Sequence, residues 1–285
     1  MNLAMDILLS LPSLNYCSGV MIAALSVLSY VCLYRKQKKR EKPKPDYPTD
    51  TVILHQTGRG PYAPSLSPFI VKLETYLRVA KIPYQNVHDK VRGSKGKWPW
   101  MEYNGDPMPD SQLIIEHLNE TREVDINNHL TEEEKATSTS FQRMIDEHTY
   151  WLMVVCRWKY DDEMTVFKLA NWSWLKITIA RWLSNRQTYQ QGLGRHSKAE
   201  VMSILNRDFK CLSTFLGDKK YMFGDRISEI DCSMFGLLSQ FKWHLPIPEV
   251  AVLFERYPNL DSYCEQMKQT VWMDWNECTT CNIED

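Results

Sequence analysis

The stretch SPFIVKLETYLRVAKIPY (67–84) decides the fold, because it predicts a helix that leads directly into a strand. Ser67 and Pro68 are residue types favoured at the N-cap and first position of a helix. Apolar residues then recur at helical spacing. The apolar segments TVILHQ (51–56) and IPYQNVH (82–88) predict strands on either side, so this part of the chain forms a β-α-β unit.

The next segment predicts a hairpin and a second helix. WPWMEYNGDPMPDSQLIIEHL (98–118) contains a strand, an Asn-Gly turn, a second strand, and a helix capped near Asp110 or Ser111. After this helix the strand signals stop, and helical patterns rich in tryptophan follow. The order predicts an α/β domain over residues 51–122 and an all-α domain over residues 131–275.

Charge is distributed unevenly along the 285 residues, although the formal net charge is only −1. A short run, 35–46, carries seven lysine and arginine side chains, which leaves the rest of the chain mildly acidic. Domains that bind nucleic acid usually carry a basic face. The composition therefore excludes a nucleic-acid-binding body.

An apolar segment near the N-terminus predicts a membrane anchor. Residues 7–34 contain no charged side chain, and residues 14–34 are long enough to cross a bilayer. A cleaved signal peptide is the alternative, but it requires basic residues before the apolar stretch. Here Asp6 precedes the stretch and RKQKKREK (35–42) follows it. This order favours an uncleaved single-pass anchor within residues 1–34.

The basic flank also predicts the orientation, because positive residues next to a spanning helix stay on the cytosolic side. The body would then face the cytosol from an intracellular membrane, with lysosome, endoplasmic reticulum and mitochondrial outer membrane all open. Residues 35–50 form a basic, proline-rich linker.

Several motifs together resemble the glutathione-transferase-like proteins. The segments are SPFIVKLETYLRVAKIPY (67–84), like their first helix and second strand; KWPWMEYNGDPMPDS (97–111), like their cis-proline and acidic-Ser segment; FGDRISEIDCSMFGLL (223–238), like their N-capping box; and FERYPNLDSYCEQM (254–267), like their final helices. The resemblance implies a thioredoxin-like α/β N-terminal domain, an all-α C-terminal domain and a short tail over residues 276–285.

A finer resemblance concerns the branch that contains the failed-axon-connections proteins, the cadmium-responsive proteins and, more distantly, the metaxins. It is carried by PSLSPF (64–69), KLETYLR (72–78) and GKWPWMEYNG (96–105), and the predicted N-terminal anchor also fits this branch. The resemblance implies a role in stress handling, such as the response to cadmium, or in axon development.

The resemblance implies glutathione as the ligand and Ser67 as the residue that stabilises its thiolate. A hydroxyl at a helix N-terminus suits a thiolate, because the unpaired N–H groups and the helix dipole favour negative charge. The alternative is that Ser67 is only a helix cap. Tyr62, in the loop before it, is a second candidate hydroxyl.

Four more residues are implied to bind the tripeptide. Pro99 would be cis and would expose the backbone of Trp98 to the cysteinyl part, whereas Asp110 and Ser111 would hold the γ-glutamyl end. The alternatives are packing for Trp98 and a simple helix cap for the Asp-Ser pair. The helix that the family usually places before Pro99 is shortened here to the polar segment 91–97.

Two further motifs predict structure rather than chemistry. Ser228 and Asp231 have the S-x-x-D spacing of a capping box. The eight cysteines are scattered, which predicts reduced thiols rather than a disulfide framework. The pair Cys278 and Cys281 supplies only two ligands, whereas a structural zinc site needs about four. We predict no metal site and a flexible thiol pair in the tail.

Two functions remain open from the sequence. The first is a membrane-anchored adaptor that keeps the fold for partner binding or for homo- or heterodimerisation, with little or no catalysis. The second is a glutathione-dependent transferase that acts on electrophiles through Ser67.

Overall fold

The computed structural model describes residues 29–30 and 47–281. The predicted membrane segment 14–34 therefore lies outside the described residues, except for 29–30. Within the described part of the chain, no helix is both long and apolar enough to cross a bilayer. The residues from Pro48 onward form one compact unit.

The N-terminal domain contains a four-stranded sheet in the order β2-β1-β3-β4, where β1 and β2 are parallel and the other neighbours antiparallel. Its elements are β1 (Val52–Gln56), α1 (Pro68–Val79), β2 (Tyr84–His88), β3 (Trp100–Tyr103), β4 (Asp106–Pro109) and α2 (Ser111–Arg122). The predicted β-α-β and β-β-α order is confirmed. The hairpin turns at Asn104 and Gly105, both with positive φ, as a two-residue turn requires.

The C-terminal domain is all-helical, as predicted. Its helices are α3 (Glu132–Met144), α4 (Tyr150–Val155), α5 (Thr165–Leu169), α6 (Trp174–Gln191), α7 (Lys198–Leu216), α8 (Glu229–His244), α9 (Pro248–Arg256) and α10 (Pro258–Val271). Single π-helical turns at Ile145–Thr149 and Cys156–Tyr160 make α3 and α4 parts of one continuous helical segment, Glu132–Tyr160.

Helices α1 and α8 cross at very short range and join the two domains. At the crossing is Gly236, where a Cβ atom would lie 2.6 Å from the carbonyl oxygen of Pro68 and 3.0 Å from the backbone nitrogen of Lys72. Position 236 therefore requires glycine because any side chain would clash with the backbone of α1. The backbone conformation of Gly236 itself does not require glycine. Almost every residue of α8 is buried, because the helix passes through the core.

The predicted capping box at the start of α8 is confirmed. The backbone N–H and the hydroxyl of Ser228 both donate to Asp231 Oδ2, at 2.9 and 2.7 Å. The Met222 N–H and the Tyr263 hydroxyl donate to the other carboxylate oxygen, at 2.9 and 3.2 Å. Asp231 thus satisfies donors from three separate segments and has a structural role.

The prediction of a flexible C-terminal thiol pair was wrong. Trp272, Trp275 and Cys278 are buried in the helical core. The N–H groups of Thr280 and Cys281 donate to carbonyl groups of the loop after β1, at 2.9 and 3.0 Å. The C-terminal segment 272–281 is mainly polar, but Trp272 and Trp275 provide enough apolar surface to hold it against the fold. The six cysteines in the described part of the chain are all free thiols.

Candidate functional site

A cavity of about 230 Å³ lies between the N-terminal domain and the helical segment Glu132–Tyr160. One wall comes from the loop before β3 and from the start of α2, and the opposite wall comes from the two turns on either side of Ile145. The lining residues are Phe69, Lys95, Lys97, Trp98, Pro99, Pro109, Asp110, Ser111, Gln112, Arg143, Asp146, Glu147, Tyr150 and Trp151.

The four residues predicted to bind the tripeptide all line this cavity. Trp98 and Pro99 lie on the loop before β3, and the peptide bond between them is cis, as the resemblance implied. Asp110 and Ser111 lie at the start of α2. The structure thus brings together residues up to 13 positions apart in the sequence, and their role in binding stays a prediction.

Asp110 has an unusual backbone conformation, with φ 86° and ψ 119°. Residues other than glycine rarely adopt such a φ, and strained backbone of this kind is found mainly where a fold positions a functional group. The side chain caps α2 by accepting hydrogen bonds from the N–H groups of Gln112 and Leu113, at 3.1 and 3.4 Å. Lys95 Nζ lies 3.6 Å from its other carboxylate oxygen.

Ser111 is the first residue of α2 and is buried at the cavity wall. Its hydroxyl lies at the positive end of the helix dipole, which suits an anionic group, whereas the N–H groups of Gln112 and Leu113 already donate to Asp110. Trp98, on the same wall, has an indole Nε1 that is buried without a hydrogen-bond partner among the described residues. The site therefore holds donors suited to a carboxylate and an acceptor, Asp110, suited to an ammonium group.

Between β2 and β3 the described chain has no helix, so the predicted shortening of the polar segment 91–97 is confirmed. The segment instead forms a loop that places Lys95 and Lys97 at the cavity mouth. Arg92 lies over the Trp98 ring at 4.9 Å, which holds the indole against the loop.

The residues of the helical wall of the cavity were not predicted from the sequence. Lys72 of α1 is almost fully buried and donates to Asp146 Oδ2 at 2.6 Å, so an ion pair fixes the position of Asp146, which lines the cavity. Phe69 and Tyr150 pack with ring centroids 4.8 Å apart beside it. The only sequence signal was a lysine among apolar residues on the inner face of a predicted helix.

Ser67 does not line the cavity, although Phe69, two residues later, does. It occupies the N-cap position of α1, but its hydroxyl accepts no hydrogen bond from the helix. The predicted N-cap position of Ser67, with Pro68 following it, is confirmed, although the Ser67 hydroxyl makes no capping hydrogen bond. The backbone N–H of Ser67 donates to Ser65 Oγ at 3.2 Å.

Buried residues of the helical domain hold the loop before Ser67. His244 Nε2 accepts hydrogen bonds from the backbone N–H groups of Tyr62 and Ala63, at 3.3 and 3.1 Å. Arg157 donates to the Leu66 carbonyl at 2.7 Å. Burial lowers the pKa of His244 well below its usual value and the pKa of Arg157 to about 10. Since Tyr62 is also absent from the cavity lining, neither candidate hydroxyl reaches it.

Comparison with known protein families shows to which family the chain belongs. Residues 68–164 match the family model of the glutathione S-transferase N-terminal domain, and residues 205–267 match that of the C-terminal domain. The chain belongs to the glutathione-transferase-like superfamily. The predicted membership is thus confirmed, and a thioredoxin-like sheet followed by helices is the arrangement it implied.

Within this superfamily, the chain is 31% identical to Failed axon connections of Drosophila melanogaster over 262 residues. That match covers 84% of this chain and 63% of the fly protein, so the chain spans less than two thirds of that relative. It is also 26% identical over 227 residues to the isoprene-epoxide–glutathione S-transferase of Rhodococcus sp. (strain AD45), covering 72% of this chain and 93% of the enzyme.

The fold is also found among solved glutathione-transferase-like structures. The β-etherase LigF from Sphingobium sp. strain SYK-6 superposes with a TM-score of 0.56 at 15% identity. The match covers 79% of this chain and 98% of the β-etherase. At this identity the likeness concerns the fold alone.

Proposed function

We propose that this protein is a membrane-anchored, glutathione-transferase-like adaptor that binds glutathione in the described cavity and has little or no catalytic activity. One observation carries the proposal: Trp98, Pro99, Asp110 and Ser111 line one cavity, whereas the Ser67 hydroxyl is outside it. Such an arrangement supports binding of the tripeptide without a group that stabilises its thiolate.

The charges of the cavity suit glutathione, which carries two carboxylates and one ammonium group at neutral pH. The Ser111 hydroxyl, at the positive end of the α2 dipole, provides a donor for the γ-glutamyl carboxylate, and Asp110 provides an acceptor for the ammonium group. Lys95 and Lys97 at the mouth are placed for the glycyl carboxylate.

A glutathione transferase is the second candidate function. The hydroxyl of Ser67 makes no cap hydrogen bond and lies at the N-terminus of α1, so it is free to donate to a thiolate. The Rhodococcus relative is named as a transferase that joins glutathione to an epoxide. In this alternative, the sulfur of bound glutathione extends past Phe69 to Ser67.

The proposed cellular role rests on the predicted N-terminal membrane anchor and on the resemblance to the branch that contains the failed-axon-connections proteins. Residues 14–34 and the basic flank 35–42 support a single-pass anchor with the body in the cytosol, at the membrane of the lysosome, endoplasmic reticulum or mitochondrial outer membrane. Likeness to Failed axon connections supports a role in axon development, and the cadmium-responsive part of the branch supports one in stress handling. The partner is a second copy or another member of the superfamily.

Titration calorimetry of the full-length protein in detergent tests the proposal. We expect glutathione to bind in the millimolar range or tighter, Ser111→Ala to weaken binding about tenfold, and Ser67→Ala to leave it unchanged. No binding at ten millimolar glutathione would refute both functions. Transfer of glutathione to an aromatic electrophile, abolished by Ser67→Ala, would favour the transferase instead. Protease treatment of intact organelles should digest the body; protection would refute the cytosolic orientation.

A further inference from the structure

Helix α6 (Trp174–Gln191) exposes large apolar side chains to solvent. A surface helix usually buries such side chains against the core and exposes its polar ones. Only Ile177 and Thr188 of its residues are buried. The exposed apolar side chains are Trp174, Leu175, Ile179, Trp182, Leu183 and Tyr189, and Trp174, Trp182 and Tyr189 are each at least 59% exposed. We call these six side chains the α6 face.

The six residues share one half of the helix circumference. At 100° per residue, positions 174, 175, 179, 182, 183 and 189 fall within about 180°, so they lie on one side of the helix, interspersed with polar residues such as Arg186. A helix of 18 residues is about 27 Å long. Exposed apolar faces of this size mark an interaction surface.

Basic side chains predominate in and around helix α6. Residues 165–199 contain six lysine or arginine residues and no aspartate or glutamate, although the body as a whole is mildly acidic. Arg181 pairs with Asp162 at 3.0 Å and Lys198 pairs with Glu249. Within residues 47–281, Lys176 and Arg186 have no carboxylate partner, so their charge is available to a ligand.

We propose that the α6 face lies in the interfacial layer of an anionic lipid bilayer, as a second membrane contact separate from the predicted N-terminal anchor. A basic helix with tryptophan and leucine on one face suits this layer, because the apolar side chains enter the acyl boundary while the cations meet lipid phosphates. Tryptophan and tyrosine are also the residues that membrane proteins place at this depth.

The same charge pattern disfavours a second copy of the chain on this face. In a two-fold symmetric dimer, the same surface of each copy meets the other. Arg186 lies on the same side of the helix as the α6 face, and the carboxylate that contacts this helix, Asp162, already pairs with Arg181. Two opposed α6 faces would therefore bring like charges together, whereas anionic lipid would neutralise them.

Hydroxyl-radical labelling of the full-length protein, incorporated at one copy per lipid nanodisc, tests the proposal. Discs of phosphatidylcholine alone are compared with discs that contain one quarter phosphatidylserine. We expect labelling of Trp182 and Tyr189 to be at least threefold lower on the anionic discs, and to recover in 0.5 M salt. Met273, which is 88% exposed and outside the α6 face, is the internal control and should not change.

Any contact through residues 14–34 is the same in both kinds of disc. The basic run 35–46 also attracts anionic lipid, but it is unchanged in the variants described below, so the loss of the difference in those variants reports the α6 face. Equal labelling of Trp182 and Tyr189 on both discs would overturn the proposal. Equally low labelling on both discs and in detergent would also overturn it, since protein and not lipid would then cover the face.

Variants of exposed residues separate the contribution of charge from that of folding. Lys176→Gln combined with Arg186→Gln should reduce the difference between the discs to less than twofold. Arg207→Gln combined with Lys210→Gln removes two exposed cations from α7 and should leave the difference unchanged. Equal effects of the two pairs would show that overall charge, rather than the α6 face, directs the protein to the lipid, and would refute the proposal.

Discussion

Arg78 of α1 and Asp274, 196 residues apart in the chain, form a two-pronged ion pair, with Arg78 Nη2 2.9 Å from Asp274 Oδ2. The guanidinium lies flat over the Trp272 ring, 3.9 Å from its centroid. Its hydrogen bonds to Asp274 hold the pKa of that carboxyl group down at about 2. The pair thus joins the C-terminal segment to the first helix of the N-terminal domain.

Replacing Asp274 by asparagine should lower the free energy of unfolding at neutral pH and should weaken its dependence on pH between 4 and 2. Because the folded pKa of Asp274 lies below its unfolded value of about 3.9, its contribution is present above about pH 4 and is lost as the pH falls toward 2. Since the side chain is 40% exposed, we expect Asp274→Asn to lower the free energy of unfolding by only about 1 kcal/mol at pH 7. Urea denaturation at pH 7 and between pH 4 and 2 measures both effects. Asp218→Asn, at an exposed carboxylate, is the control, and an equal effect there would contradict the assignment.

Adding one methyl group at Gly236 should strain the joint between the domains. The new Cβ would lie within 3.0 Å of two backbone atoms of α1, which cannot move without shifting the helix. We expect Gly236→Ala to lower the free energy of unfolding by about 1–3 kcal/mol. Gly58→Ala is the matched control, because a Cβ there meets nothing within 4 Å. Thermal denaturation of both variants checks the difference, and equal midpoints would show that α1 and α8 are not in close contact.

Burial of neutral His244 should make the fold sensitive to mild acid. Its pKa is lowered in the folded state, so folding stability is full above the unfolded pKa of about 6.5 and falls as the pH drops below it. The slope approaches about 1.4 kcal/mol per pH unit for a single group. Urea denaturation at pH 7.5, 6.5 and 5.5 should show this decline, and His244→Gln should flatten it. An unchanged slope in the variant would assign the decline to other groups.

Changing Asp110 to asparagine should keep the cap of helix α2 but weaken the proposed binding of glutathione. Asparagine caps helices as well as aspartate does and tolerates positive φ, so the free energy of unfolding should change by less than about 0.5 kcal/mol. In the proposed binding mode the substitution removes the charge that would contact the ammonium group of glutathione, so affinity should fall about tenfold or more. Calorimetry and denaturation of the same preparation give both values. Unchanged affinity would exclude Asp110 from the ligand site.

The sequence by itself determined the features that depend on near neighbours in the chain. The β-α-β order around α1, the hairpin at Asn104 and Gly105, and the capping box of Ser228 and Asp231 all follow from residues within a few positions of one another. Such features depend on backbone preference and local hydrogen bonds, so residue types at fixed spacing are sufficient to predict them. The family resemblance supplied the cis bond before Pro99, which no local preference required.

Only the tertiary structure decided what surrounds the site. The Lys72–Asp146 pair, the loop held by His244, the displacement of Ser67 from the cavity and the docking of the C-terminal segment all join residues far apart in the sequence. Their geometry depends on how whole helices pack, and a shift of one or two ångströms brings a hydroxyl into a cavity or leaves it outside. The sequence names the residues with suitable chemistry, whereas packing decides which of them meet.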